Sequence, residues 1–190
     1  MKNGILDLFD RVTVMESLAV QLEKAEIERC QLNLAANSVD ITLGCDAPPP
    51  REDILTYAES VAHIYNLNKI DLKLHCPSFT PDTEYVSGLV FAFMKNCGSC
   101  KPYLINATAT VEGATITISD IIGGEDVLKK HAFCDFLRSS IREELDKEYE
   151  INLAFSEFDM EKYLEKREQT QKEITEKKIA ENPIVSADTG

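Results

Sequence analysis

The feature that most limits how this chain folds is a period-two alternation of apolar and polar residues that occurs twice, each time in the same company. Residues 102–122 read PYLINATATVEGATITISDII. Tyr103, Ile105, Ala107, Ala109 and Val111 alternate with Leu104, Asn106, Thr108 and Thr110. After Glu112 and Gly113 the alternation resumes with Ile116 and Ile118 against Thr115, Thr117 and Ser119. Such a period sends one set of side chains to a core and the other to water, and a glycine in a tight connection predicts a β-hairpin. A helical pattern over residues 125–146 follows, then a short strand carried by Tyr149, Ile151, Leu153 and Phe155. The same order occurs earlier in the chain. Cys30, Leu32 and Leu34 alternate with Gln31 and Asn33, a turn falls at residues 36–38, and Val39, Ile41, Leu43 and Cys45 alternate with Asp40, Thr42 and Gly44. A helix from about Glu52, with Ile54, Ala58, Val61 and Tyr65 on one face, and a strand at Ile70, Leu72, Leu74 and Cys76 complete that copy.

The helix that opens each copy is also legible. Ile5, Leu8, Val12, Met15, Leu18 and Leu22 recur at helical spacing over residues 3–24, with a plausible break at the β-branched Val12-Thr13-Val14. In the second copy Tyr85, Val86, Leu89, Val90, Phe93 and Met94 form a broad apolar stripe, capped by Asp82 or Thr83 and stopped near Gly98. The predicted fold is α+β. It comprises two small helix-strand-strand-helix-strand units, like truncated KH domains, with antiparallel or mixed sheets covered by helices, plus a charged C-terminal helix. The expected boundaries are 1–76 for the first unit and 77–156 for the second, divided at the two-proline segment PSFTP, residues 77–81. Residues 157–190 read as a polar linker helix ending at Asn182-Pro183 and a disordered tail, as though another domain followed. A ferredoxin-like βαββαβ order over residues 69–156 is a second possible topology, if the strand at 70–76 joins the second sheet.

Units of about 75 to 80 residues lie near the lower limit for an independent core, so the two are expected to pack on each other. No apolar run approaches the roughly 18 residues of a membrane span, and the N-terminus lacks the pattern of a signal peptide, which predicts a cytoplasmic protein. In that compartment the six cysteines are read as free thiols, with Cys30, Cys45 and Cys76 at core-facing strand positions. The 20 basic and 33 acidic residues give a net charge of −13, which disfavours broad contact with a phosphate backbone.

Few residues suggest chemistry. Cys97-Gly98-Ser99-Cys100 has the spacing of a zinc clip, and His131 with Cys134 forms a second pair downstream, so a Cys3His site is one alternative and a redox dithiol another. Against both, His131 is read as lying in mid-helix, and no thioredoxin-like βαβ surrounds the motif. His63, His75 and His131 are read as surface or boundary residues, and the carboxylates as acidic surface. Gly123-Gly124 is read as a turn and cap, since Glu125 and Asp126 would repel phosphate. No catalytic or cofactor-binding residue is assigned. A KH domain clamps nucleic acid with a Gly-x-x-Gly loop between two helices, and neither unit contains one.

Taken together, ERCQLNLAANSVDITLGCD (28–46), the proline-rich approach and helix leading to KIDLKLHC (69–76), INATATVEGATITISD (105–120) with its following helix, EINLAFSE (150–157) and EKYLEKREQTQKE (161–173) carry a resemblance over nearly the whole chain. It resembles the N-terminal region of the PolC-type DNA polymerase III α subunit of low-GC Gram-positive bacteria. The likeness is one of pattern, without a diagnostic motif. It implies a non-catalytic interaction module that couples a replicative polymerase to the τ subunit of the clamp loader or another replisome protein. The polymerase and exonuclease sites, with their magnesium and zinc, would lie in domains beyond residue 190, so the resemblance implies no cofactor and no direct DNA binding in this region. The remaining alternatives are a KH-like nucleic-acid-binding domain and a small zinc or redox protein using Cys97 and Cys100.

Overall fold

The computed structural model describes residues 4–156. The expected linker helix and tail, 157–190, lie outside them. Two short helices open the chain, α1 (Ile5–Leu8) and α2 (Glu16–Lys24), and the break between them spans the predicted Val12-Thr13-Val14. Then come β1 (Glu26–Asn33), β2 (Ser38–Gly44), α3 (Arg51–Ile64) and β3 (Lys69–His75). The second copy follows as α4 (Thr83–Asn96), α5 (Lys101–Leu104), β4 (Thr108–Glu112), β5 (Thr115–Ile122), α6 (Glu125–Lys130), α7 (Phe133–Leu145) and β6 (Glu150–Ser156). The fold is α+β, with two three-stranded sheets ordered β1-β2-β3 and β4-β5-β6.

In the first sheet β1 and β2 form an antiparallel hairpin, while β3 lies parallel to β2 with Val39, Ile41 and Leu43 facing Ile70, Leu72 and Leu74. A parallel pair needs a crossover, and α3 supplies it, burying Ile54, Tyr57, Ala58 and Val61 against the sheet. Pairing of β3 with β2 removes the ferredoxin-like alternative, because β3 takes no place in the second sheet. In the second sheet Ala109 pairs with Ile118 and Val111 with Ile116. Gly113, at φ 60, makes the turn. Asp120, at φ 57, shifts the phase of β5 so that Ile121 returns to the core.

Four local readings need correction. Residues 101–104 are helical, so the hairpin begins at Thr108 and not at Pro102; Pro102 near the start of α5 suits a helix. The helix expected over 125–146 is two helices, broken where Ala132 turns left-handed at φ 53. Gly98 makes no left-handed cap; Cys97 ends α4 at φ −126. Cys30 is exposed, because β1 is an edge strand that packs chiefly on β2 and is exposed along nearly its whole length. Of the other two strand cysteines, Cys76 is buried and Cys45 half-buried. Asp82 does cap α4, accepting from the Tyr85 amide at 2.8 Å.

Residues up to Phe155 form one compact unit with a continuous core. The copies meet along α3, α4, α7 and β3. Phe93 packs on Phe133 and Phe136 with ring centroids 4.8 and 5.2 Å apart. At the centre of the seam Arg51 Nη2 lies 2.6 Å from Glu144 Oε2, with both side chains nearly buried. The Tyr85 hydroxyl donates to the same oxygen at 2.8 Å, and the Cys76 amide donates to the Glu144 carbonyl at 2.6 Å. Gly88 makes the approach possible, since a Cβ there would come within 3.0 Å of Arg51 Cβ. Burial works against the guanidinium charge, but Glu144 outweighs it and holds the Arg51 pKa above its ordinary value. Burial first, and Glu144 second, push the Tyr85 hydroxyl well above the usual tyrosine range. No helix among the described residues is long and apolar enough to cross a membrane.

Two outcomes follow from this packing. Removing one partner of a buried pair strands the other charge, so Glu144→Ala should cost about 3 kcal/mol in denaturant unfolding, and the double change Arg51→Met with Glu144→Leu far less. Equal losses in the two variants would contradict this account. His75 bridges Glu28, at 2.9 Å, and Asp146, at 3.0 Å, and hydrogen bonds to Asp146 and then Glu28 raise its pKa above 6.5. The charged bridge is therefore fully formed below about pH 6.5, the unfolded value, and fades as pH rises through the higher folded one. The melting-temperature gap between the natural chain and His75→Gln should be larger at pH 6 than at pH 8.5 and should shrink in salt. A gap independent of pH would show that the bridge contributes nothing through charge.

Candidate functional site

Three helix ends bring the chemically distinctive side chains together. Cys97 closes α4, its amide bonded to the Phe93 carbonyl at 2.8 Å. A tight turn follows, in which the Cys100 amide donates to the Cys97 carbonyl at 3.0 Å, and Cys100 opens α5. This turn puts both thiols on one side, with their sulfurs 2.8 Å apart. His131 arrives from the second half of the copy. It caps the C-terminal end of α6, with its amide bonded to the Val127 carbonyl, and does not lie in mid-helix. The left-handed Ala132 immediately after it turns the chain into α7 and leaves the imidazole facing the thiols. Ser99 Oγ lies between them, 3.2 Å from His131 Nε2 and 3.4 Å from Cys97 Sγ.

One donor atom from each of Cys97, Cys100 and His131 lies within 4.8 Å of the other two. Cys134, expected as the fourth member, is not in this group. It sits in the first turn of α7, half-buried, and burial raises its thiol pKa. The two thiols that do meet are unlike each other. Cys100 is fully buried, and burial, followed by the neighbouring sulfur, pushes its pKa up to about 11. Cys97 is half-exposed, and hydrogen bonds from the Cys100 thiol and then Ser99 hold its pKa below the ordinary thiol value. Of the two, Cys97 is therefore the thiol that ionises more readily. A partly exposed, hydrogen-bonded thiolate is the nucleophilic and metal-ligating form of cysteine.

A second thiol pair, Cys45 and Cys76, follows the ends of β2 and β3. Hydrogen bonding from Cys76 lowers Cys45, while Cys76 is raised by that neighbour and by burial. Of the remaining histidines, His75 is committed to its bridge and His63 stands exposed on α3. Gly124 begins α6 at φ 73 with the Tyr103 ring packed against it, so that turn is filled by protein. A cleft of about 480 Å³ beside the seam is lined by Pro48 to Pro50, Phe79, Tyr85 and Phe91, and its arginine, Arg51, is already paired to Glu144.

One surface that the alternation pattern misassigns is β1. Cys30 and Leu32 lie opposite the buried Ile41 and Val39, yet Cys30 is exposed, Leu32 is 61% exposed, and Leu34 beyond the strand is 82% exposed. The outer edge of β1 takes no strand partner among the described residues. No sequence signal distinguishes such a strand from a covered one, because both carry the same apolar alternation.

The inequality of the thiols has a direct chemical readout. Limiting iodoacetamide at pH 7 on the reduced, metal-free chain should label Cys97 several-fold faster than the more exposed Cys30, and leave Cys76 and Cys100 protected. Peptide mapping that finds Cys30 labelled as fast as Cys97 would refute the lowered pKa of Cys97. In comparisons with known proteins, no family model, no curated protein and no solved structure matches this chain.

Proposed function

We propose that this chain is a non-catalytic interaction module from the N-terminal region of a PolC-type replicative DNA polymerase, working in the cytoplasm to couple the polymerase to the clamp-loader τ subunit. The observation that carries this reading is β1. Among the described residues its outer backbone edge has no strand partner, and it is flanked by Cys30, Leu32 and Leu34, all exposed, at the rim of a sheet whose other strands are buried on one face. Such an edge accepts an extended or hairpin segment of a partner by strand addition, with the apolar side chains providing selectivity. The repeated helix-strand-strand-helix-strand order agrees with the segments on which the resemblance rests. The net charge of −13 suits recognition of a basic protein segment better than of DNA. A KH-like nucleic-acid role is less well supported. The joint between α6 and α7, where a KH domain places its Gly-x-x-Gly clamp, is Lys130-His131-Ala132-Phe133.

The test is a calorimetric titration of the chain with the C-terminal region of τ. Binding is expected, and it should weaken at least tenfold in the double variant Leu32→Glu, Leu34→Glu, with its melting temperature almost unchanged because both positions are exposed. Absence of binding would defeat the partner assignment. Binding that is indifferent to the two substitutions would place the contact elsewhere. Micromolar binding of single-stranded DNA at physiological salt would favour the KH-like reading instead.

A further inference from the structure

We propose that Cys97, Cys100 and His131 form a binding site for a thiophilic divalent cation of the zinc class, which ties the end of α4 to the joint between α6 and α7. Two cysteine sulfurs and one imidazole nitrogen are the set that selects zinc over the hard cations magnesium and calcium, which take oxygen ligands. The geometry is also close to what is required. In a tetrahedral site with Zn–S near 2.3 Å and Zn–N near 2.0 Å, neighbouring donors lie about 3.3 to 3.8 Å apart. The three donor atoms here already fall within 4.8 Å of one another, and the hydrogen bond between Ser99 Oγ and Nε2 holds the His131 ring beside the thiols. Two small adjustments complete it: the sulfurs separate from 2.8 Å by about 1 Å through rotation of the half-exposed Cys97 side chain, and the exposed Ser99 hydroxyl gives up its bond to Nε2 if that nitrogen is the ligand.

The backbone adds an independent reason. Ala132 adopts a left-handed conformation, which costs an alanine about 1 kcal/mol or more and which nothing in its side chain favours. That conformation ends α6 at His131 and directs the ring to Cys97 and Cys100, which belong to a different part of the second copy. Burial is graded across the site: Cys100 is enclosed, Cys97 half-exposed and His131 exposed. The fourth coordination position therefore faces outward, where water or a donor from a bound partner completes the tetrahedron. Cys134 is not a ligand. Zinc takes cysteine as thiolate and imidazole as the neutral ring, so protons compete with the metal and affinity falls as pH is lowered. The site is independent of the β1 edge and of the partner assigned to it.

The decisive experiment uses the full chain, reduced and stripped of metal, then loaded with Zn²⁺ or Co²⁺ and desalted. About one ion per chain should be retained, and the cobalt form should show thiolate-to-metal charge-transfer absorption with the intense visible bands of a tetrahedral site. Because His131 is exposed, His131→Gln should leave the fold intact, as far-ultraviolet circular dichroism will verify, while weakening affinity at least tenfold. Cys97→Ser should do the same, and Cys134→Ser should have no effect. Zinc should raise the melting temperature of the natural chain and not that of His131→Gln. Retention of less than a tenth of an ion per chain, a cobalt spectrum without thiolate character, or unchanged affinity in His131→Gln would each overturn the proposal. So would equal loss of affinity in Cys134→Ser.

Discussion

The arrangement depends most on one carboxylate. Glu144, in the last turn of α7, accepts from Arg51 at the start of α3 and from Tyr85 on α4, while its own carbonyl receives the Cys76 amide beyond β3. Four segments from both copies therefore converge on a single residue. Taking a carboxylate and a guanidinium out of water is expensive, and the attraction between them only roughly offsets that cost. The value of the pair lies less in net stability than in selecting an arrangement. Apolar faces such as those of α3 and α4 can slide over one another at little cost, whereas an unpaired buried charge cannot be tolerated. The seam has one alignment in which Arg51, Tyr85 and Glu144 are all satisfied, and Gly88 provides the space for it.

That commitment has consequences at both ends of the molecule. Alternate residues of β2 and β3 are buried, while β1 is left exposed along nearly its whole length. The seam also brings α4 against α7, so that Cys97, Cys100 and His131 come together at the far end of α4. Both functional candidates are products of the same packing. One is an edge that accepts a strand and the other a cluster of soft donors, and neither requires a deep pocket.

The two hairpins, the crossover helix and the doubled order were legible because each rests on a period of two or of 3.6 over six or more residues. Where the sequence misleads, the reason is specific. Residues 101–104 continue an apolar alternation that is satisfied equally by a single helical turn. Ala132 has the best helix propensity of any residue, so nothing local marks the break that it makes. Reading 125–146 as one helix places His131 in its middle, away from the cysteines, and so counts against a Cys3His site. Cys30 and Leu32 show a different limit, since alternation identifies which face of a strand is apolar without revealing whether anything covers it.

The sequence by itself determined the class of fold, the six strands and their order, and the closeness of the two thiols within Cys97-Gly98-Ser99-Cys100. All of these are set by preferences acting over a few residues. Only the tertiary structure decided that β3 joins β2 and not the second sheet, and that Arg51 meets Glu144 across 93 positions. It also decided that His131, and not Cys134, faces the thiols. These outcomes follow from long-range desolvation: a charge, a strand edge or a sulfur takes its final role from what the rest of the chain excludes from water around it.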